Sequence, residues 1–190
     1  MPKRIDEQNL FFEVIRTIVQ RGFAKATTKQ IAEAAGINEV TLFRKYGTKA
    51  GLIQAAFQHI AATSPLKDLA YSGELEPDLI QIVTAYKKTS ALYGEIIPLI
   101  LAEIPHDPGL RELLKPFLAQ VRSIMQILQK YQEDGQLNDE PGFSMVSALL
   151  GPLMVSQMIQ KTDPELGGQE TDARTYVKAF LEGRMQRPGR

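Results

Sequence analysis

Apolar residues recur every three to four positions along most of this chain, which is the spacing of one face of a helix. Leu10, Phe11, Val14, Ile15 and Ile18 share such a face and predict a helix over about 5–21. Gly22 suits the left-handed residue just past a helix end, and Phe23 is placed to pack back on the last turn. Thr27 and Gln30 have the spacing of a capping box, opening a short helix over 28–35 that buries Ile31, Ala32 and Ala35. Gly36 permits a tight turn and Ile37 plugs it. Asn38 is a good N-cap for a helix over 39–46. Leu42 and Tyr46 give that helix its buried side, which leaves Val40, Thr41, Arg44 and Lys45 facing outward. Thr48 is the expected cap of a fourth helix reaching 62, with Leu52, Ile53, Ala56, Phe57 and Ile60 on one face.

Beyond Ser64-Pro65 and the loop at 73–77 the pattern stays helical, with no alternating β-branched run. Helices are expected near 77–93, 95–104, 108–134, 141–161 and 169–186, with a loop over 162–169. Pro98 and Pro116 should end or kink theirs, because proline removes a donor and clashes with the preceding turn. The segment 141–161 is apolar nearly all round, so it has to be covered on more than one side. The expected fold is all-α: an N-terminal domain over 1–62 and a larger helical domain over 63–190.

Two short helices joined by a glycine-containing turn make a helix-turn-helix, here over 27–46. Its second helix can enter a major groove about 12 Å wide. The outward side chains suit that task. Arg44 and Lys45 reach guanine edges or phosphates, Thr41 donates or accepts, and Val40 meets a thymine methyl. Lys49 in a first helical turn opposes the macrodipole, which makes sense if a phosphate docks there. Phe43 and Tyr46 also suit a core role, and Arg44 and Lys45 an ordinary solvated face. Lys3 and Arg4 form either a basic minor-groove arm or a frayed end.

Charge changes the picture only once it is located. The 190 residues hold 22 basic and 22 acidic side chains, a net charge of zero. Residues 1–60 carry nine Lys or Arg against five Asp or Glu, and the remainder carries the opposite excess. The positive excess therefore falls on the segment that holds the helix-turn-helix. A hydrophobic share of 44% is ordinary for a globular chain. Unbroken apolar stretches are short, as at 96–102, and no apolar leader opens the chain, so a cytoplasmic protein without membrane spans is expected. Cysteine is absent, and the two histidines, His59 and His106, do not stand at metal-ligand or triad spacing. No phosphate-cradling glycine motif occurs. Asp107, before Pro108, reads as a helix cap and not a base. The expectation is no enzyme, no metal and no cofactor.

The stretch GFAKATTKQIAEAAGINEVTLFRKYGTKAGL, Gly22 to Leu52, resembles the TetR-type transcriptional regulators at many fixed positions. The resemblance implies contacts to phosphate or groove at Thr27, Thr41 and Lys49, and with the neighbouring residues of the motif the candidate DNA-contacting set is Thr27, Thr28, Asn38, Val40, Thr41, Phe43, Arg44, Lys45, Tyr46, Thr48 and Lys49. Two positions depart from the family's habit. Phe43 stands where a tyrosine hydroxyl usually donates to phosphate, and Val40 where a small residue is common. The resemblance also implies a homodimer, with Met145, Leu149, Leu153, Met158, Tyr176 and Phe180 as its expected surface. It further implies a small, mostly apolar ligand, with Leu92, Ile96, Leu99, Ile100, Leu118, Val121, Met125 and Leu128 as expected pocket residues. The function so implied is a repressor of a double-stranded, pseudo-palindromic operator, released by that ligand. The alternative is a helix-turn-helix regulator controlled by a protein partner with no small-molecule ligand.

Overall fold

The computed structural model describes residues 5–163, 165–166 and 171–183. Lys3 and Arg4 lie outside them, as do parts of the expected 162–169 loop and of the expected 169–186 helix. The helices among the described residues are α1 (Glu7–Lys25), α2 (Thr28–Ala35), α3 (Glu39–Tyr46), α4 (Lys49–Thr63), α5 (Leu75–Tyr93), α6 (Ile96–Glu103), α7 (Arg111–Glu133), α8 (Gly142–Thr162) and α9 (Ala173–Glu182). Short 3-10 turns occur at Pro65–Asp68 and Pro108–Leu110.

These elements form two compact units. The first combines the chain up to Thr63 with Glu95–Pro116; the second combines Ser64–Gly94 with the chain from Phe117 onward. The division departs from the expected single boundary after residue 62. The stretch that carries α6 joins the first unit, because α6 packs on α1 and buries Ile96 and Ile100 completely.

In the first unit, α1 starts at Glu7, two residues later than its pattern suggests, because Asp6 caps it by accepting from the Asn9 amide at 3.1 Å. The helix is interrupted at Gly22, whose φ of 78° and ψ of 162° leave the helical region before one further turn closes at Ala26. Leu10, Val14 and Ile18 are fully buried, and α2 and α4 pack against them. Fully burying one such side chain contributes roughly 1.5–3 kcal/mol.

The core of the second unit is built from α5, α7, α8 and α9 around Leu79, Ile82, Leu128, Tyr131, Met145, Leu149 and Val177. A buried polar network fixes the loop before α5. The Tyr131 hydroxyl donates to the Asp78 carboxylate at 2.5 Å, and the Ser72 amide and hydroxyl donate to it at 2.8 and 2.6 Å. Burial and the bond to Asp78 push the Tyr131 phenol far above its ordinary range.

Neither proline ends its helix. Pro98 is in the first turn of α6, where the amide it lacks would have no partner within the helix. α7 continues through Pro116, and α8 through Pro152. Leu113 and Leu114 before Pro116 are buried, as are Ile124, Ile127 and Leu128 after it.

α8 is 21 residues long with a mean hydropathy of 1.5 in its most apolar window, enough by length and composition to cross a membrane. Interspersed serine, glycine and glutamine hide this from a search for unbroken apolar runs. Met145, Val146, Leu149, Leu150 and Leu153 place one side of α8 in the second unit's core.

Candidate nucleic-acid interface

The helix-turn-helix closes as its sequence predicts. The Thr27 hydroxyl accepts from the Gln30 amide at 3.2 Å, and the Gln30 side chain accepts from the Thr27 amide at 3.1 Å. Gly36 ends α2 in the left-handed conformation, φ 66° and ψ 33°. The amide of Ile37 then reaches back to the Ala32 carbonyl at 2.9 Å. This closure turns the chain within three residues, and a side chain at Gly36 would be strained there. Asn38 opens α3 by accepting from the Val40 amide at 2.8 Å. Thr48 opens α4 by accepting from Gly51 at 3.0 Å.

The orientation of α3 follows from its one buried residue and about 100° of rotation per residue. Leu42 is 1% exposed and points into the unit. Val40 and Arg44, four apart, lie opposite it, flanked by Phe43 and Thr41. Val40 is 73% exposed and Phe43 47%. The exposure of Phe43 decides against a core role. Arg44 is exposed and has no hydrogen bond or ion pair among the described residues. The outer face of α3 thus offers one free guanidinium, a half-buried threonine hydroxyl and two apolar groups.

The other expected contacts carry internal duties. The Thr28 hydroxyl donates to Glu39 at 2.7 Å and ties the start of α2 to the start of α3. Asn38, Thr27 and Thr48 use their side-chain oxygens as helix caps. The ring of Tyr46 is half-buried, edge-on to Phe11 with centroids 5.9 Å apart, and its hydroxyl donates to Glu7 at 3.2 Å. Lys45 pairs with the same Glu7 oxygen at 2.5 Å.

Lys49, expected at a helix start where a phosphate docks, is engaged within the first unit. Its ammonium donates to the carbonyls of Phe23 and, at 3.3 Å, Ala24. Those carbonyls lie just past the break at Gly22, and the lysine caps the end of α1. Sequence reasoning missed both long-range ties, since Lys45 to Glu7 spans 38 residues and Lys49 to Phe23 spans 26.

The profile of the family described as bacterial regulatory proteins, tetR family, matches residues 15–56. Over that stretch the chain is similar to the TetR family. An uncharacterized HTH-type transcriptional regulator, YvkB of Bacillus subtilis strain 168, is 35% identical over 71 residues, 37% of each chain. A second, Mb1581 of Mycobacterium bovis, is 24% identical over 134 residues, 70% of this chain and 65% of that protein. The matched regions thus span between about a third and two thirds of these curated relatives' lengths. The crystal structure of a putative tetR family transcription regulator from Shewanella sp. PV-4 shares the fold, with a TM-score of 0.70 over 97% of this chain and all of that one, at 19% identity.

Two other sets of residues are expected from the TetR-type resemblance. Among the expected dimer residues, Met145, Leu149, Leu153 and Phe180 are buried in the second unit's own core. Tyr176 is half-buried, with its hydroxyl donating to the Leu149 carbonyl at 2.7 Å. Met158 is 44% exposed, alongside exposed Val155 and Ile159. The difference is physical: an all-round apolar helix gives no sign of which stripe faces its own domain.

The expected pocket residues are divided between the two units. Leu92 and Leu118 are exposed. Ile96, Leu99 and Ile100 belong to the first unit, and Ile96 and Ile100 are fully buried there. Leu128 is fully buried in the second unit's core, with Val121 and Met125 packed against it. A cavity of about 580 Å³ in the second unit has other walls, among them Pro65, Ile80, Thr84, Lys88 and Arg174. One of about 640 Å³ in the first unit is lined by Phe23, Lys49, Ile53, His106 and Leu113 among others. Asp107 caps the turn that follows it, accepting from Gly109 at 3.0 Å. Among the described residues no three His, Asp or Glu side chains gather as a metal site would require.

Proposed function

We propose that this TetR-type chain is a sequence-specific DNA-binding transcriptional regulator that presents the outer face of α3 to the major groove. The observation that carries the proposal is the unpartnered Arg44 between exposed Val40 and Phe43, on a helix capped at its start and anchored by Leu42. Arg44 supplies the donor fork that matches a guanine edge, and Val40 and Phe43 supply apolar contact to thymine methyls or sugars. Phe43 has no hydroxyl, so this chain grips the backbone there without a donated hydrogen bond.

The regulator acts as a homodimer on a pseudo-palindromic operator, with half-sites about one helical turn, ~34 Å, apart. Val155, Met158 and Ile159, exposed apolar residues in the second half of α8, are offered to the second copy. It acts as a repressor, released by a small, mostly apolar ligand that favours the protomer arrangement with the wrong recognition-helix spacing. A coupling of about 1–3 kcal/mol would weaken operator binding some 5–150-fold.

Fluorescence anisotropy with a selected operator duplex tests the DNA-binding step. Affinity should fall steeply as salt rises, because counterions are released on binding. No affinity for any duplex at low salt would refute it. A thermal-shift panel of apolar compounds tests the ligand step, and the absence of any stabiliser would refute that step alone.

A further inference from the structure

We propose that Glu7 is an internal competitor of DNA phosphate for Lys45, so that the first turn of α1 sets the affinity of the recognition helix. This rests on the DNA-binding reading of α3. Lys45 follows Arg44 in the chain but lies about 60° around α3 from Leu42, on the side toward Glu7 of α1, and its exposed, long side chain can reach the backbone bordering a groove. Its ammonium is instead held 2.5 Å from Glu7 Oε1. The Tyr46 hydroxyl donates to the same oxygen at 3.2 Å, and the Lys45 ammonium lies 5.4 Å from the centre of the Tyr46 ring. Glu7 is favoured where it stands, since a carboxylate in a first turn suits the positive end of a helix.

The pair is built to be opened. Its two side chains are 43% and 45% exposed, so water screens the attraction and an incoming phosphate can reach the ammonium. A phosphate that takes Lys45 leaves the Glu7 carboxylate unpaired close to another anion. A phosphate that does not take it gains nothing from the lysine. Either way Glu7 lowers what Lys45 contributes to DNA binding, and the cost is fixed by a residue that itself touches no base.

The test uses the full chain and its selected duplex, with anisotropy measured between about 50 and 200 mM salt. Glu7→Gln should bind about 1.5- to 5-fold tighter, the range that opening an exposed ion pair allows. Its slope of log affinity against log salt should steepen by up to about one phosphate contact. In a Lys45→Ala background the same Glu7→Gln change should have no effect, as a double-mutant cycle requires of a residue acting through its partner. Equal tightening in both backgrounds would overturn the proposal in favour of a general charge effect. Weaker binding by Glu7→Gln would also overturn it, because the pair would then be positioning α3 for DNA. So would no change. If Glu7→Gln disturbs folding, Glu7→Asp keeps the charge at the helix start but draws the carboxylate back from Lys45, and the tightening should persist. Failure of the unmodified chain to bind any duplex would overturn the regulator reading and this inference together, whereas binding that is indifferent to Glu7 overturns this inference alone.

Discussion

Replacing Lys49 with methionine separates two accounts of one cation. α1 ends at Lys25, so the carbonyls of its last turn have no partner within the helix, and a buried or half-buried helix end needs partners for such groups. Lys49 supplies them from the first turn of α4, donating to the Phe23 and Ala24 carbonyls. A hydrogen bond to a charged group contributes about 1.5–3 kcal/mol net. Ala24 is exposed and Phe23 only half-buried, so water replaces part of what is lost. The expected cost of Lys49→Met is therefore reduced to about 1–2 kcal/mol. For a chain of 150–250 residues each 1 kcal/mol lowers Tm by about 2–4 °C, giving a fall of about 2–8 °C. Urea unfolding and a thermal melt, both without DNA, measure it. Unchanged stability with weakened DNA binding would refute the reasoning, because the ammonium would then be free for phosphate.

Three further outcomes are expected. Leu42→Ala removes the single fully buried anchor of α3 and should cost about 2–5 kcal/mol in urea unfolding; a loss under 1 kcal/mol would mean α3 is held mainly by its caps. Arg44→Ala should leave stability unchanged, cost about 1–3 kcal/mol of operator binding and relax preference at one base pair; uniform weakening across sequences would make Arg44 a phosphate contact. Burial first, and then the neighbouring Tyr176 hydroxyl, push the Tyr86 phenol up to about 12, so Tyr86 stays neutral in the fold at a pH where the unfolded chain ionises it. Its contribution is complete below about pH 10 and is lost as the pH rises from there to about 12. Tyr86→Phe should flatten the fall in stability across that window, and an identical alkaline profile would contradict the assignment.

Local chemistry made the helix-turn-helix legible before any coordinate was known. The Thr27–Gln30 box, Gly36 and the Asn38 cap are each decided by atoms within four residues, and each forms as expected. The outward direction of Val40 and Arg44 followed from Leu42 by rotation alone. What did not show was any decision made between distant segments. Lys45 and Lys49 read as free cations because their partners lie 38 and 26 residues away. The stretch from Glu95 to Pro116 read as part of the second domain because chain order does not reveal that Ile96 and Ile100 pack on α1. Met145, Leu149 and Leu153 read as a partner surface because a helix apolar all round hides which stripe is its own core. Pro116 and Pro152 read as breaks or went unremarked because a single lost hydrogen bond is outweighed by burial on either side.

Selection of bound sequences from a pool of random duplexes tests the central claim most directly. A chain that reads DNA with α3 should recover a pseudo-palindromic motif whose half-sites lie about one helical turn apart, and Arg44→Ala should lose preference at the same position in both halves. Recovery of no motif from the pool at low salt would contradict the account.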